Sequence, residues 1–146
     1  MAIFRERPYG NAQFLVEIDG VIAPDVLEVH LPELGLEAEE FRTGSDQEVT
    51  SRKFPSRPRF GNLVLKRGFR GDLELYNWWK QTVSGNPGAK RQLTIHLLSE
   101  NASGAVCSWR LKGAFPLRYA FSPLDGRDGG ILMETMEIAA DSVEMF

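Results

Sequence analysis

The sequence predicts a mainly β domain with one α-helix (α+β), built as an antiparallel β-barrel or a two-sheet sandwich. Most segments alternate apolar and polar residues and are separated by turn residues, which is the pattern of half-buried strands. Only one segment has the apolar period of a helix. A chain of 146 residues is long enough for one domain with one core. We therefore expect a single domain over residues 1–146, without a linker or an internal repeat.

Strands are predicted wherever the alternation is clear. Turn residues such as Asp19-Gly20 and Asn101–Gly104 separate them. In chain order, the predicted strands are Asn11–Ile18, Val26–Leu31, Phe60–Arg67, Arg91–Ser99, Ala105–Gly113, Phe115–Phe121 and Ile131–Ala139. The last two strands carry apolar residues on both faces. They are either central strands of one core or strands covered by a neighbouring subunit.

The helix is predicted between Asp72 and Gly85. Asp72 can cap its first turn, Glu74 adds favourable negative charge there, and Gly85 followed by Pro87 ends it. Its apolar face is predicted to consist of Leu75, Tyr76, Trp79 and Val83. We expect the helix to dock on the sheet through core residues Leu75, Trp79, Val83 and Trp109.

The composition gives little support to catalysis or metal binding. The single cysteine, Cys107, excludes an internal disulfide, and its alternation with Trp109 and Leu111 predicts a small core residue. His96 lies among apolar strand residues and is predicted to be a partly buried structural histidine. No nucleophile, base and oxyanion group converge in a recognisable motif. We therefore assign no catalytic, metal-binding or cofactor-binding residue.

No secretory signal is visible in the sequence. Its first residues lack the apolar stretch of a secretory signal, and no run approaches the length of a membrane span. We expect a protein made in the cytoplasm without a membrane anchor.

Charge is divided into two adjacent blocks of opposite sign, although the net charge is only −3. The acidic block, Asp25–Glu48, contains eight acidic residues and one arginine, whereas the basic block, Arg52–Arg70, contains seven basic residues and no acidic one. Complementary patches favour register and specificity in self-association, where one patch meets a different patch on the next copy. The predicted interface residues are Arg52, Lys53, Arg57, Arg59, Lys66, Arg67 and Arg70 with Glu37, Glu39 and Glu40.

Nucleic-acid binding is an alternative interpretation of the basic block. Phe54, Phe60 and Phe69 are interleaved with its arginines, and such residues can neutralise phosphates and stack bases. The sequence pI of about 5.4 argues against it, because a dedicated nucleic-acid-binding domain is usually basic.

Several short motifs occur in a recognisable order. An aromatic-Arg-x-Gly step precedes a Lys-x-Pro loop, an aromatic-x-Asn strand that closes in Lys-Arg-Gly, and a helix with a tryptophan. These motifs are Phe41–Gly44, Lys53–Ser56, Phe60–Gly68 and Leu73–Trp79, and the pattern extends to Asn11–Gly20, Trp109, Pro116 and Met133–Ile138. Together they resemble the tail-tube protein family of contractile phage tails and contractile injection systems.

The resemblance implies a non-enzymatic structural subunit with a tail-tube fold and no cofactor. Six copies would form a ring by joining their sheets around a channel, and rings would stack into an inner tube. Sheath and baseplate proteins would be its partners, and DNA or protein cargo would pass through the lumen without specific binding. The subunit would then belong to a phage tail or an injection-system particle.

Two departures from the family pattern lie in one segment. Ser56 stands where glycine is common, and Arg57, Pro58 and Arg59 make the segment more basic and stiffer. They leave open a specialised paralogue, such as a tube initiator or baseplate adaptor. We expect an extended basic loop at about 43–59 that leaves the barrel and contacts an adjacent ring.

Overall fold

The computed structural model describes residues 2–42, 44 and 51–146. These residues form a mainly β domain with one α-helix, α1 (Glu74–Val83), and a 3₁₀ turn at Pro87–Ala89. The strands are β1 (Phe14–Ile18), β2 (Val21–Ile22), β3 (Val26–His30), β4 (Leu34–Phe41), β5 (Arg52–Phe60), β6 (Leu63–Gly68), β7 (Arg91–Leu98), β8 (Ala105–Phe121), β9 (Met133–Ala139) and β10 (Ser142–Met145).

All pairings between these strands are antiparallel, which confirms the predicted fold class. The main sheet has the order β2-β1-β7-β8-β9-β6-β3, with β10 alongside β8, and β4 and β5 form a separate two-stranded sheet. Within the described residues, the main sheet starts at β2 and ends at β3, so its strand pairings do not close into a barrel.

One long strand, β8, connects the two halves of the main sheet. Its first half pairs with β7 and β10, and its second half pairs with β9. At Gly113, between the halves, φ is +64°, a conformation that glycine adopts without steric cost. A β-carbon at this position would overlap the Asp141 carboxylate. The two strands predicted on either side of residue 114 are therefore one bent strand.

The core lies where both halves of the sheet meet the helix. Leu63 and Leu65 of β6, Leu93 of β7 and Leu111 of β8 are fully buried. Leu75 and Trp78 of α1 complete the core, and the Trp78 indole N–H donates to the carbonyl oxygen of Ala89 at 2.6 Å.

The helix is anchored by some of the predicted residues and by one that was not predicted. Leu75 is buried as expected, but the buried tryptophan is Trp78, and Trp79 is only partly buried. Val83 is 64% exposed, so its predicted role in docking is wrong. The physical reason is the neighbour relation i, i+3, which places Trp78 on the face of Leu75. Trp109 is partly buried against the same core, as a core residue should be.

The ends of α1 agree with the prediction only in part. Gly85 has φ +78° and follows the last helical turn, as predicted. Leu73, rather than Asp72, occupies the N-cap position. The Asp72 carboxylate still accepts a hydrogen bond from the Glu74 backbone N–H at 3.3 Å.

The described part of the predicted basic loop is mostly a strand. Residues from Arg52 onwards form β5, which pairs along its length with β4. We refer to β4 and β5 together as the hairpin. Residues 43 and 45–50 of the predicted loop lie outside the described residues. The two hairpin strands contact each other extensively, and their contacts with other elements are sparse.

None of the helices in the described part of the chain has the length and apolar character of a membrane span.

Candidate interaction surfaces

The hairpin has two chemically different faces. Residues that pair across an antiparallel ladder lie on one face, and successive residues alternate between faces. The register pairs Leu36 with Pro58, Ala38 with Pro55 and Glu39 with Phe54. Between these pairs, β5 has one residue more than β4, which is a β-bulge. Because of the bulge, Pro55 and Pro58 lie on the same face of the hairpin.

The apolar face of the hairpin is exposed to solvent. Leu34 is 54% exposed and Leu36 is 60% exposed. The apolar face comprises Leu34, Leu36, Ala38, Pro55 and Pro58, and all five are exposed. Glu40 and Lys53 face each other near its outer end. Only Phe60, at the base of the hairpin, packs against the core of the domain.

The charged face of the hairpin is held by contacts between its own residues. The Glu37 carboxylate lies 3.6 Å from Arg57 Nε and 3.7 Å from Arg59 Nε. The Ser56 hydroxyl donates to Glu39 at 3.1 Å. The charged face comprises Glu37, Glu39, Phe41, Arg52, Phe54, Ser56, Arg57 and Arg59, with the Phe41 and Phe54 rings in edge contact at 6.0 Å.

The acidic and basic blocks pair with each other within one chain. Besides the Glu37 contacts, Lys66 Nζ lies 3.2 Å from Glu28, and Arg70 lies 3.3 Å from Asp25. Hydrogen bonds from His30 and Lys66 hold the pKa of Glu28 below its ordinary value. The blocks meet because β3 and β4 run antiparallel to β6 and β5. Part of the opposite charge in these blocks is thus paired inside the subunit, and the contact of the remaining charges with the next copy stays a prediction.

One predicted interface residue, Arg67, is buried. Its side chain is 1% exposed, and it forms a salt bridge with the fully buried Glu134 of β9. It also donates to Asp72 at 2.8 Å, while Tyr119 donates its hydroxyl proton to Glu134. Burial and the Glu134 contact raise the pKa of Tyr119. Arg67 therefore joins β6, β9 and the start of α1, and its prediction as an interface residue is wrong because alternation in β6 directs it inward.

An open apolar groove lies where the sheet remains unclosed. It has a volume of about 580 Å³ and is lined by residues of β3 and of β1, β7 and β8. The principal apolar side chains are Phe14, Leu27, Val29, Leu31, Leu97 and Trp109. Leu27 is 57% exposed and Leu31 is 41% exposed, so much of this apolar surface faces water. Sequence reasoning missed the groove, because it depends on which strands end the sheet.

His96 and Cys107, the two residues with reactive side chains that were weighed for catalysis, both lie in strands of the main sheet. His96 is partly buried, as predicted, and its Nδ1 lies 2.7 Å from the Ser108 hydroxyl. Cys107 is partly buried and lies in β8 beside Trp109. No group of three or more potential metal-ligating side chains occurs among the described residues.

Solved structures show where this fold occurs. A chain of the extracellular contractile injection system PVC, in a sheath-tube complex in the extended state, matches with a TM-score of 0.82 and 24% identity, covering 97% of this chain and 93% of that one. A chain in the 6-fold symmetrised baseplate of the anti-feeding prophage (AFP) matches with a TM-score of 0.79 and 21% identity, covering 97% of both chains. Hcp1 from Flavobacterium johnsoniae matches with a TM-score of 0.62 and 18% identity over 90% and 93% of the two chains. At these identities the likeness is one of fold.

The fold defines a class of mainly β domains with one helix and an exposed two-stranded hairpin. The sequence identifies the family: the T4-like virus tail tube protein gp19 family matches residues 10–144. The chain belongs to this family, which confirms the resemblance predicted from its motifs. The search of curated proteins found no match.

Proposed function

We propose that this chain is the inner-tube subunit of a contractile phage tail or injection system. Six copies form a ring, and rings stack into a tube with a central channel for DNA or protein cargo. The observation that carries this proposal is the match of the tail tube family over residues 10–144. The similar chains from a sheath-tube complex and a baseplate support sheath and baseplate proteins as its partners.

The exposed surfaces of the single chain support assembly. A two-stranded hairpin alone is marginally stable in water, and this hairpin has sparse contacts with the rest of its chain. Leu117 and Phe121 in the second half of β8 are each nearly half exposed. Apolar surface of this kind marks contact sites in proteins that associate. A neighbouring copy would cover it.

The charged face of the hairpin is the proposed contact with an adjacent ring. Its exposed residues include Arg52, Arg57 and Arg59, and Lys53 and Glu40 lie near the outer end of the opposite face. Lys66 and Arg70 are also exposed enough to reach a neighbour, at 39% and 51% of their side-chain surface. Because the charges partly neutralise one another within the chain, they favour register more than affinity.

The proposed role of the subunit is structural. The subunit performs no catalysis and needs no cofactor, because its role consists of contacts with other copies. It is made in the cytoplasm without a membrane anchor and is then built into a virion tail or injection-system particle.

Size-exclusion chromatography with negative-stain microscopy tests the proposal. We expect the purified chain to form rings or tubes, and charge reversal at Arg52, Lys53, Arg57 and Arg59 to reduce stacking. Arg127→Glu is the control, because Arg127 is 92% exposed and lies outside the hairpin. A monomer of 16.4 kDa that shifts DNA at moderate salt would support a nucleic-acid-binding module instead. Rings that never stack would favour a tube initiator or baseplate adaptor.

A further inference from the structure

We infer that residues 2–13, the segment before β1, form a strap that covers the edge of β8 beyond β10 and is held closed by the contacts of one side chain, Arg5. We refer to residues 2–13 as the strap. The strap has a closed state and an open state, and the Arg5 contacts decide which of them the folded chain adopts. The inference goes beyond the proposed function and does not depend on it.

The strap lies where the pairing of β8 with β10 runs out. β10 pairs with β8 through Ser142–Met145, and the backbone groups of Phe146 bond to those of Ser108 at 2.8 and 3.0 Å. Two residues further along β8, the carbonyl oxygen of Val106 accepts a hydrogen bond from the Ile3 backbone N–H at 2.8 Å. Alternate residues of an antiparallel strand direct their backbone groups to the same edge. Ile3 therefore takes the next position on this edge and pairs a carbonyl group that a bare strand edge would expose.

Apolar packing contributes little to the position of the strap. Ile3 is 56% exposed and Phe4 is 89% exposed. Within residues 2–13, Arg5 and Tyr9 are partly buried and all the others are exposed. A segment with few buried apolar contacts can open while the rest of the domain stays folded. The closed state of the strap must therefore depend on polar contacts.

Arg5 makes polar contacts in two directions. Its guanidinium donates to the carbonyl oxygens of Arg7 at 2.8 Å and Pro8 at 2.9 Å, so the strap is folded back on itself. It also donates to both carboxylate oxygens of Glu100, at 3.0 Å for Oε2. The hydrogen bond from Arg5 lowers the pKa of Glu100 to about 2. A planar guanidinium with several donors can serve all these acceptors together, whereas the compact ammonium group of lysine cannot.

Tyr9 connects the Arg5 contacts to the edge of β8. The Arg5 guanidinium lies over the Tyr9 ring, 3.9 Å from its centroid, and the Tyr9 hydroxyl donates to the carbonyl oxygen of Ile3 at 2.7 Å. Glu100 lies in the turn between β7 and β8, and hydrogen bonds among the residues of this turn hold its shape. Arg5 thus joins the strap residue on the β8 edge to the turn that leads into β8.

Hydrogen exchange at the Ile3 amide tests the inference. In the whole chain at low protein concentration, we expect Arg5→Gln to accelerate this exchange by about tenfold or more, because hydrogen bonds to charged groups are strong. Arg5→Lys keeps the charge but loses the planar fork, so we expect it to accelerate the exchange almost as much. Arg7→Gln is the matched control, because it makes the same change of charge and keeps the Arg7 carbonyl oxygen that Arg5 contacts.

A second variant removes the same contact from the side of the turn. Glu100→Gln leaves Arg5 in place but removes the carboxylate charge, and we expect it to accelerate exchange at Ile3 as Arg5→Gln does. The double variant should add little, because the two residues act through one contact. Denaturant unfolding midpoints of all variants should equal that of the wild type, because the strap opens without the core.

Three results would overturn the inference. The first is exchange at Ile3 in the wild type at the rate of an unstructured chain, since the strap would then be open. The second is exchange in Arg5→Lys that equals the wild type, or equal acceleration by Arg5→Gln and Arg7→Gln. The third is a fall of the unfolding midpoint in parallel with the faster exchange, which would make residues 2–13 part of the folding core. Ring or tube formation enters none of these measurements, so the proposed function stands or fails separately.

Discussion

The body of the domain and its hairpin both consist of antiparallel strands, but they differ in how far their side chains are buried. In the body, α1 packs on β8, and Arg67 and Glu134 are paired out of contact with water. In the hairpin, every residue from Leu34 to Arg59 in the described strands is exposed or partly exposed. The backbone hydrogen-bond pattern is antiparallel in both regions. It therefore does not show whether the side chains of a strand are buried within their own chain.

This difference divides the expected effects of substitution. A change in the body removes contacts that exist in the single chain, so it lowers the free energy of unfolding. Under the proposed function, a change in the hairpin removes contacts between copies, so we expect it to alter assembly and to leave the unfolding of the dispersed chain unchanged.

The largest loss of stability is expected from Trp78→Ala. The side chain is fully buried and its indole N–H bonds to Ala89, so truncation leaves a cavity and a carbonyl without its donor. We expect a loss of about 3–5 kcal/mol in denaturant unfolding, as for other buried aromatics. Val83→Ala on the same helix is the control and should change stability by less than about 0.5 kcal/mol. Equal losses would contradict the assignment of the docking face.

Glu134→Gln is expected to rank second. It removes the charge that compensates buried Arg67, and breaking a buried pair costs about 3–5 kcal/mol. Asp72 remains beside Arg67, which places the expected loss at the lower end, about 3 kcal/mol. Glu137→Gln, whose partner Arg118 is 57% exposed, should cost no more than about 1 kcal/mol. Chemical unfolding of the two variants side by side measures the difference.

Gly113→Ala is expected to cost about 1–3 kcal/mol, because a left-handed conformation is strained for alanine and the new methyl group displaces Asp141. Thermal unfolding measures the loss. Gly126→Ala is the comparison, since a β-carbon at Gly126 meets no atom within 4 Å. If both substitutions had the same effect, the bend in β8 would not depend on glycine.

A smaller effect is expected at alkaline pH. Burial and the hydrogen bond to Glu134 raise the pKa of Tyr119 above its ordinary value of 10.0. The folded state then holds a proton that the unfolded state releases, so this stabilisation is complete below about pH 10 and is lost as the pH rises through the folded pKa. Unfolding free energies between pH 9 and 11, about the range where tyrosine ionises, should fall more steeply for the wild type than for Tyr119→Phe. Parallel profiles would show that Tyr119 does not contribute.

Much of the body could be predicted from sequence because its pattern is local. The alternation in Arg91–Ser99 and the turn at Asp19-Gly20 were sufficient to place β1 and β7 within a few residues. β4 was missed because Leu34–Phe41 contains four charged or glycine positions and lacks a buried face. The sequence of β5 predicts a loop because it contains Pro55 and Pro58, and proline is rare within strands. In a two-stranded sheet both strands are edge strands, and edge strands can contain proline and exposed charged residues.

The positions of opposite charges in the acidic and basic blocks predict that the two blocks pair within the chain. Glu40 lies opposite Lys53, Glu37 lies near Arg57, and Glu28 lies near Lys66. The members of each pair lie at almost equal distances from the same point in the sequence, as antiparallel strands require. That symmetry predicts pairing within the chain. The groove had no such signal, because it arises from strands that are distant in sequence.

The smallest effect on stability is expected from Leu36→Asp in the dispersed chain. Leu36 is 60% exposed and lies in a hairpin that makes sparse contacts with the rest of the chain, so unfolding should change by less than about 0.5 kcal/mol. Denaturation at low protein concentration, where the elution volume is that of a monomer, measures this value. The same substitution should abolish ring formation, so its effects on folding and on assembly are separated in one variant. A loss of stability comparable with that of Trp78→Ala would mean that the hairpin belongs to the core of its own chain, and the distinction between the two regions would fail.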